Sequence, residues 1–155
     1  MPLYDDIMIP LIDLNRWRAG DREAVAAETD AALQESGFLM VSGHGVEVEL
    51  RAAVRAAAQR FFALSAERKL PYAAPVSGRG WIPIGKEANA FYGVEADAAR
   101  ADLKESYTIG REHRMGDAAL DEAWFKQNVW PDEVPELAGL CAEYAQAVRA
   151  LNEEA

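Results

Sequence analysis

The chain has 155 residues, half of them hydrophobic and 27% charged, with a formal charge of -10. That length suits one domain with a real core. The negative charge repels nucleic-acid backbones and anionic membranes, so neither is an expected partner.

The opening MPLYDDIMIP carries two aspartates, no basic region and no long apolar run, so it does not read as a signal peptide. No stretch approaches the roughly 18 apolar residues of a membrane span. Ile9 to Leu14, with Pro10 near its start, predicts a strand entering a sheet from its edge. Asp21 is placed to cap the following helix and Gly37 to close it in a left-handed conformation. Val25, Thr29, Ala32 and Ser36 then share one narrow face. Phe38 to Val41 is a continuous apolar run that predicts a strand buried on both faces. Ser42-Gly43-His44-Gly45 turns the chain.

Leu50, Val54, Ala57, Ala58, Phe61 and Phe62 give the clearest amphipathic pattern, a second helix with arginines elsewhere. Ser65 is placed to cap a short helix through Leu70, stopped by Pro71. Ala73 to Asp102 shows no sustained period and predicts a long, partly irregular excursion. Leu103 to Ile109 alternates weakly and predicts a strand. Asp117 can cap a short helix through Trp124. A final helix starts with Pro135 in its first turn and carries Leu137, Leu140, Cys141, Tyr144, Val148 and Leu151 on its apolar face. The single cysteine, Cys141, reads as a small core filler, cannot form an internal disulfide and fits a reducing cytoplasm. No stop signal closes the last helix, and its acidic end opposes the helix dipole. Such a helix either frays or is cut from one that led into more protein.

Five segments in order carry a family resemblance: IPLIDL at 9–14, ESGFLMVSGHGV at 35–46, RFFALSAERK at 60–69, RGWIPIGKE at 79–87 with DLKESYTIG at 102–110, and NVWP at 128–131. Each is weak alone, but their order and spacing resemble the N-terminal half of the isopenicillin N synthase-like iron(II)/2-oxoglutarate oxygenases, in particular the bacterial branch. The resemblance implies an α+β fold, with helices packed on a few strands as the N-terminal part of a double-stranded β-helix (jelly-roll) oxygenase. Residues 1–155 would form one N-terminal domain, truncated before the iron-binding half. The complete enzyme would use iron(II) and 2-oxoglutarate on a small organic molecule.

In that family the metal is held by a facial triad of two histidines and a carboxylate, with an H-x-D pair and a later R-x-S motif in the C-terminal half. This chain has two histidines, neither followed by x-Asp, and no R-x-S. The expectation is that the chain alone contributes no catalytic residue, no metal ligand and no cofactor-binding residue, and binds neither iron nor 2-oxoglutarate in the family manner. The expected partners are a small-molecule substrate and the C-terminal jelly-roll half, on the same or a separate chain. The rival from another class is a non-catalytic binding or scaffold module, or one half of a split assembly.

Individual residues remain open between two readings. His44, beside a strand between two glycines, invites a ligand reading, but a turn histidine bonded to backbone fits it better. His113 lies in the charged stretch REHR and reads as a surface residue. Arg79, flanked by Gly78 and Gly80, can grip a carboxylate bidentately. In some relatives its loop faces the substrate cavity, which would make the substrate acidic; the bland reading is an ion pair with one of the chain's 26 acidic residues. Trp81 either lines the same pocket or packs in the core. Asp102, Lys104 and Glu105 read as structural ion pairs, with Lys104 and Glu105 on opposite faces. Tyr107 shares the face of Glu105 and is the third pocket candidate. Trp130 reads as an anchor of its loop to the core.

Overall fold

The computed structural model describes residues 9–75, 78–87, 102–112 and 115–154. His113 and residues 88–101 of the predicted excursion lie outside them. The fold is α+β, and the chain divides into two compact units. One comprises Met1–Val48 with Tyr144–Ala155, the other Glu49–Glu143. No helix among the described residues is long and apolar enough to cross a membrane.

In the first unit, strand β1 (Leu11–Asp13) pairs in parallel with β2 (Met40–Ser42), Leu11 opposite Met40 and Asp13 opposite Ser42. Asp13 also caps helix α1 (Leu14–Arg18), its carboxylate accepting the amide of Asn15 at 3.0 Å. Helix α2 (Arg22–Glu35) buries Val25 and Ala32, with Thr29 and Ser36 half-buried beside them, as the narrow face predicted. Gly37 follows with φ +72°, the left-handed closure expected of it. Asp21 stands at the N-cap but makes no capping bond. Its carboxylate is taken by Arg16, which grips Asp21 and Glu28 at 2.7 Å each, because a charged hydrogen bond outcompetes a neutral backbone donor.

The strand expected from Phe38 to Val41 is corrected by the structure. Only Met40–Ser42 is strand, and β2 pairs with β1 alone among the described residues. Phe38 is 68% exposed and Met40 51%. An apolar run is buried on both faces only where a layer packs on each, and here one face stays open. Leu11 and Met40 share that face as register partners, and Ile9 and Phe38 precede them by two residues; all four are exposed. Ile12 faces the other way and is buried.

The second unit holds the larger core. Helix α3 (Val48–Phe62) buries Ala57 and Phe61, with Val54, Ala58 and Phe62 half-buried beside them, which is the predicted stripe. Helix α4 (Ala66–Lys69) follows. Ser65 occupies its N-cap position without a side-chain bond. Pro71 ends the α-helix by turning the chain into a 3-10 turn, Leu70–Tyr72. Strand β3 (Gly80–Ile82) lies in the stretch expected to be irregular, and it pairs antiparallel with β4 (Ser106–Thr108), Trp81 opposite Tyr107. A three-residue strand between glycine and proline carries no readable period, so only its distant partner reveals it. Helix α5 (Ala118–Trp124) is capped as expected, the Asp117 carboxylate accepting Ala119 and Leu120 amides at 2.9 and 3.1 Å. Helix α6 (Leu137–Glu154) starts two residues later than Pro135 predicted, which instead lies in the preceding turn.

Ala57, Phe61, Trp81, Val134 and Leu137 form the buried cluster, with Phe62, Tyr72, Tyr107, Trp130 and Cys141 packed against it. Phe61 is its centre: its ring meets Tyr107, Phe62 and Tyr72 edge-on at 4.8, 5.5 and 6.1 Å between centroids. Pairs of this geometry add about 1 kcal/mol each to burial of the ring itself.

Gly80 is the backbone position with least latitude. Its φ is +125°, and a Cβ there would collide with the carbonyl oxygen of Tyr72. Gly80→Ala is expected to destabilise the chain by about 3 kcal/mol through strain and overlap combined. Gly139, in α6 with open space around it, gives the opposite result: Gly139→Ala should stabilise by about 0.5–1 kcal/mol. Urea midpoints of the two variants, at equal slope, check both signs.

Candidate functional site

The β3–β4 hairpin carries the three residues singled out from the sequence, Arg79, Trp81 and Tyr107, and a buried ion pair holds it in place. Lys69, the last residue of α4, is 5% exposed. Its ammonium donates to the Phe62 carbonyl at 3.1 Å and to both carboxylate oxygens of Glu105 at 3.0 and 2.8 Å. All three ammonium protons therefore have acceptors. The same ammonium lies 5.2 Å from the Trp81 ring centroid. The Trp81 indole N–H donates to Glu105 at 2.5 Å. Removing a lysine from water costs several kcal/mol, and only this full set of partners offsets it. Nothing in the sequence singled out Lys69 beyond a favourable place at a helix end.

Lys104 turns the other way, as the alternation predicted, and meets Glu87 at 3.1 Å and Asp102 at 3.8 Å. Both are surface pairs of small worth. A second polar group lies where Tyr72 packs against the core. The Tyr72 hydroxyl donates to Glu133 at 2.7 Å and accepts from the Asp132 amide at 3.0 Å. The Tyr72 bond, with Arg68 nearby, holds the Glu133 carboxyl below its usual range.

The structure brings Trp81 and Tyr107 side by side in the core. Trp81 is 4% exposed. Tyr107 is half-buried, its ring against Phe61 and its hydroxyl donating to the Val129 carbonyl at 2.5 Å. Burial pushes its phenol up to about 12. Arg79 is set apart. Its guanidinium lies over Gly110, just beyond β4, where any side chain would overlap it. Asn128 frames that position, donating to the Gly110 carbonyl and accepting from its amide at 2.8 Å each. Among the described residues, Arg79 Nη2 reaches the Trp124 carbonyl at a long 3.4 Å. Its Nε is buried with no hydrogen-bond partner there. A guanidinium held in a slot with one edge unsatisfied is chemically suited to a carboxylate, which accepts two parallel bonds.

His44 Nδ1 accepts the Val46 amide at 3.0 Å, so the histidine serves its own turn. Among the described residues no group of three His, Cys, Asp or Glu is arranged to hold a metal ion.

Residues 9–133 match the family model described as non-haem dioxygenase in morphine synthesis N-terminal. The chain is 36% identical over 140 residues to validamycin A dioxygenase of Streptomyces hygroscopicus subsp. limoneus, covering 88% of this chain and 38% of that protein. It is 32% identical to the 2-oxoglutarate-dependent dioxygenase caaD of Aspergillus niger, covering 94% of this chain and 45% of the relative. Among solved structures it superposes on a 2OG-Fe(II) oxygenase family protein from Caulobacter crescentus with TM-score 0.74 and 28% identity, covering 94% of this chain and 45% of that one. A full-length Neurospora crassa protein, solved in complex with alpha-KG, gives TM-score 0.70 and 28% identity over 99% of this chain and 46% of its own. The chain thus spans less than half the length of each of these relatives.

Two measurements test the site's construction. Glu105→Ala strands the buried Lys69 and the Trp81 indole, and should cost about 3–5 kcal/mol in urea denaturation. Tyr107 should titrate well above the usual phenol value of about 10. Its folded pKa is raised, so its contribution to stability is complete below about pH 10 and is lost as pH rises toward 12. The phenolate absorbance difference between the parent and Tyr107→Phe chains reports that titration directly.

Proposed function

The chain belongs to the non-haem dioxygenase N-terminal family, and from that membership we propose that it is the N-terminal portion of an iron(II)- and 2-oxoglutarate-dependent oxygenase acting on a small organic molecule. Iron and 2-oxoglutarate would be held by a C-terminal jelly-roll half, on the same or a separate chain, and would activate dioxygen, the oxidant. Residues 1–155 act as one structural domain in this reading. They buttress the barrel and contribute one wall of the substrate pocket through the β3–β4 hairpin. A cytoplasmic location fits the single unpaired cysteine and the acidic charge.

Two features support the division of labour. The exposed face formed by Ile9, Leu11, Phe38 and Met40 is a contiguous apolar patch on a sheet that is two-stranded among the described residues. Such a surface on a soluble protein calls for a covering layer, and the jelly-roll half is that layer in this reading. The second feature is Arg79, the observation that carries the substrate side of the proposal. Its Nε is buried without a partner among the described residues and its Nη2 is loosely engaged, so a carboxylate that entered the slot would meet a paired donor edge. An acidic substrate would take that edge as a carboxylate anchor, while Trp81 and Tyr107, packed in the core, hold the strands beside it.

The test is iron(II)-dependent conversion of 2-oxoglutarate to succinate by the full-length reading frame, with carboxylate-bearing and neutral small molecules as candidate substrates. Arg79→Gln should raise KM for the carboxylate substrate about 10- to 100-fold, the equivalent of about 1.5–3 kcal/mol for a charged hydrogen bond, with little change for a neutral analogue. An unchanged KM would remove Arg79 from the pocket. A reading frame that stops naturally after Ala155, with no partner chain restoring turnover, would replace the oxygenase reading with a non-catalytic binding module.

A further inference from the structure

Gly110 is a glycine that its own backbone does not call for. Gly37, Gly43, Gly45 and Gly80 all stand at positive φ, whereas Gly110 does not. What the position lacks is room for a side chain. The three nearest atoms that a Cβ there would meet are Cζ, Nη1 and Nη2 of Arg79. A glycine without unusual dihedrals marks the close approach of another group, and here that group is a guanidinium. Asn128 fixes the surface beneath it. Its side-chain amide donates to the Gly110 carbonyl and accepts from the Gly110 amide at 2.8 Å each, across 18 residues of chain. The Asn128 backbone amide in turn donates to Glu112 at 3.0 Å. Only a side chain with both a donor and an acceptor can take both backbone groups of one residue, so aspartate or leucine would not replace it.

We propose that Gly110 and Asn128 are the positioning residues of Arg79. The missing side chain at 110 admits the guanidinium, and the Asn128 clamp holds Gly110 where the guanidinium lies over it. Neither residue touches a substrate; both act through Arg79. Together they seat the guanidinium by shape, with Nε unpartnered among the described residues and Nη2 only loosely engaged. That is the edge a carboxylate takes side-on. The consequence for substrate choice rests on the pocket reading of Arg79 given above: preference for a carboxylate over a neutral analogue is set at position 110 as well as at position 79.

The test uses the full-length reading frame carrying isotope-labelled arginine. The Arg79 Nε–Hε signal, identified by its loss in Arg79→Gln, should exchange slowly with solvent in the parent. Gly110→Ala evicts the guanidinium and should speed that exchange at least about tenfold. Asn128→Ala should speed it in the same direction by a smaller factor. In turnover of a carboxylate substrate, Gly110→Ala should raise KM about tenfold or more, the effect falling on KM rather than kcat. It should add nothing further in an Arg79→Gln background. Where Gly110→Ala alone does not fold, the double variant with Arg79→Gln should, because the group it collides with is gone. The proposal is overturned by unchanged Hε exchange in folded Gly110→Ala, by KM effects that multiply in the double variant, or by a double variant that misfolds as the single one does. An Arg79→Gln enzyme with the parent KM removes Arg79 from the pocket instead, and Hε exchange still decides whether Gly110 and Asn128 position its guanidinium.

Discussion

The second unit depends on one buried cation. Lys69 sits at the junction of α4 and its 3-10 turn, and its three donors reach the end of α3 and the residue before β4. Because Glu105 also accepts the Trp81 indole, the same carboxylate fixes both strands of the hairpin. A purely apolar contact at this point would tolerate sliding of β3 past β4. A lysine with every proton assigned does not, since a slip would strand a charge where water cannot follow. The edge-on rings around Phe61 then pack onto a hairpin already held in register.

The hairpin in turn sets where Arg79 can go. Gly80 lets the chain pass against the Tyr72 carbonyl, and the guanidinium drops into the space left by Gly110. Asn128 holds Gly110 by both backbone groups and is itself anchored by Glu112 at 3.0 Å. Arg79 is thus fixed by what its neighbours lack, a side chain at position 110, rather than by an acidic partner among the described residues. An ion pair would have taken up its bonding capacity; the slot leaves it available. That availability separates Arg79 from Arg16, whose guanidinium is fully engaged by Asp21 and Glu28.

The first unit is built differently. Its helices are well closed and its turn at His44 is internally satisfied, yet its short parallel sheet keeps an apolar face in solvent. Parallel strands are ordinarily covered on both faces, so this sheet is the piece of the chain whose sequence asks for a further layer. In the proposed reading the C-terminal half is that layer. The second unit buries a larger cluster around Phe61, yet it too leaves apolar side chains such as Leu70, Leu103 and Trp124 exposed among the described residues.

The sequence by itself determined what depends on neighbours a few residues apart. The α3 stripe from Val54 to Phe62, the Asp117 cap, the closure at Gly37 and the structural role of His44 all follow from helical spacing or from a turn's own hydrogen bonds. The ordered segments from Ile9 to Pro131 likewise placed the chain in its family. Tertiary structure alone decided the burial of Lys69, the existence of β3, the exposure of Phe38 and the resting place of Arg79. Lys69 meets Glu105 across 36 residues and Trp81 meets it across 24. Local patterning carries no record of partners so distant. Phe38 belongs to an apolar run that reads the same whether or not a second layer covers it, and only the assembled sheet shows that among the described residues none does.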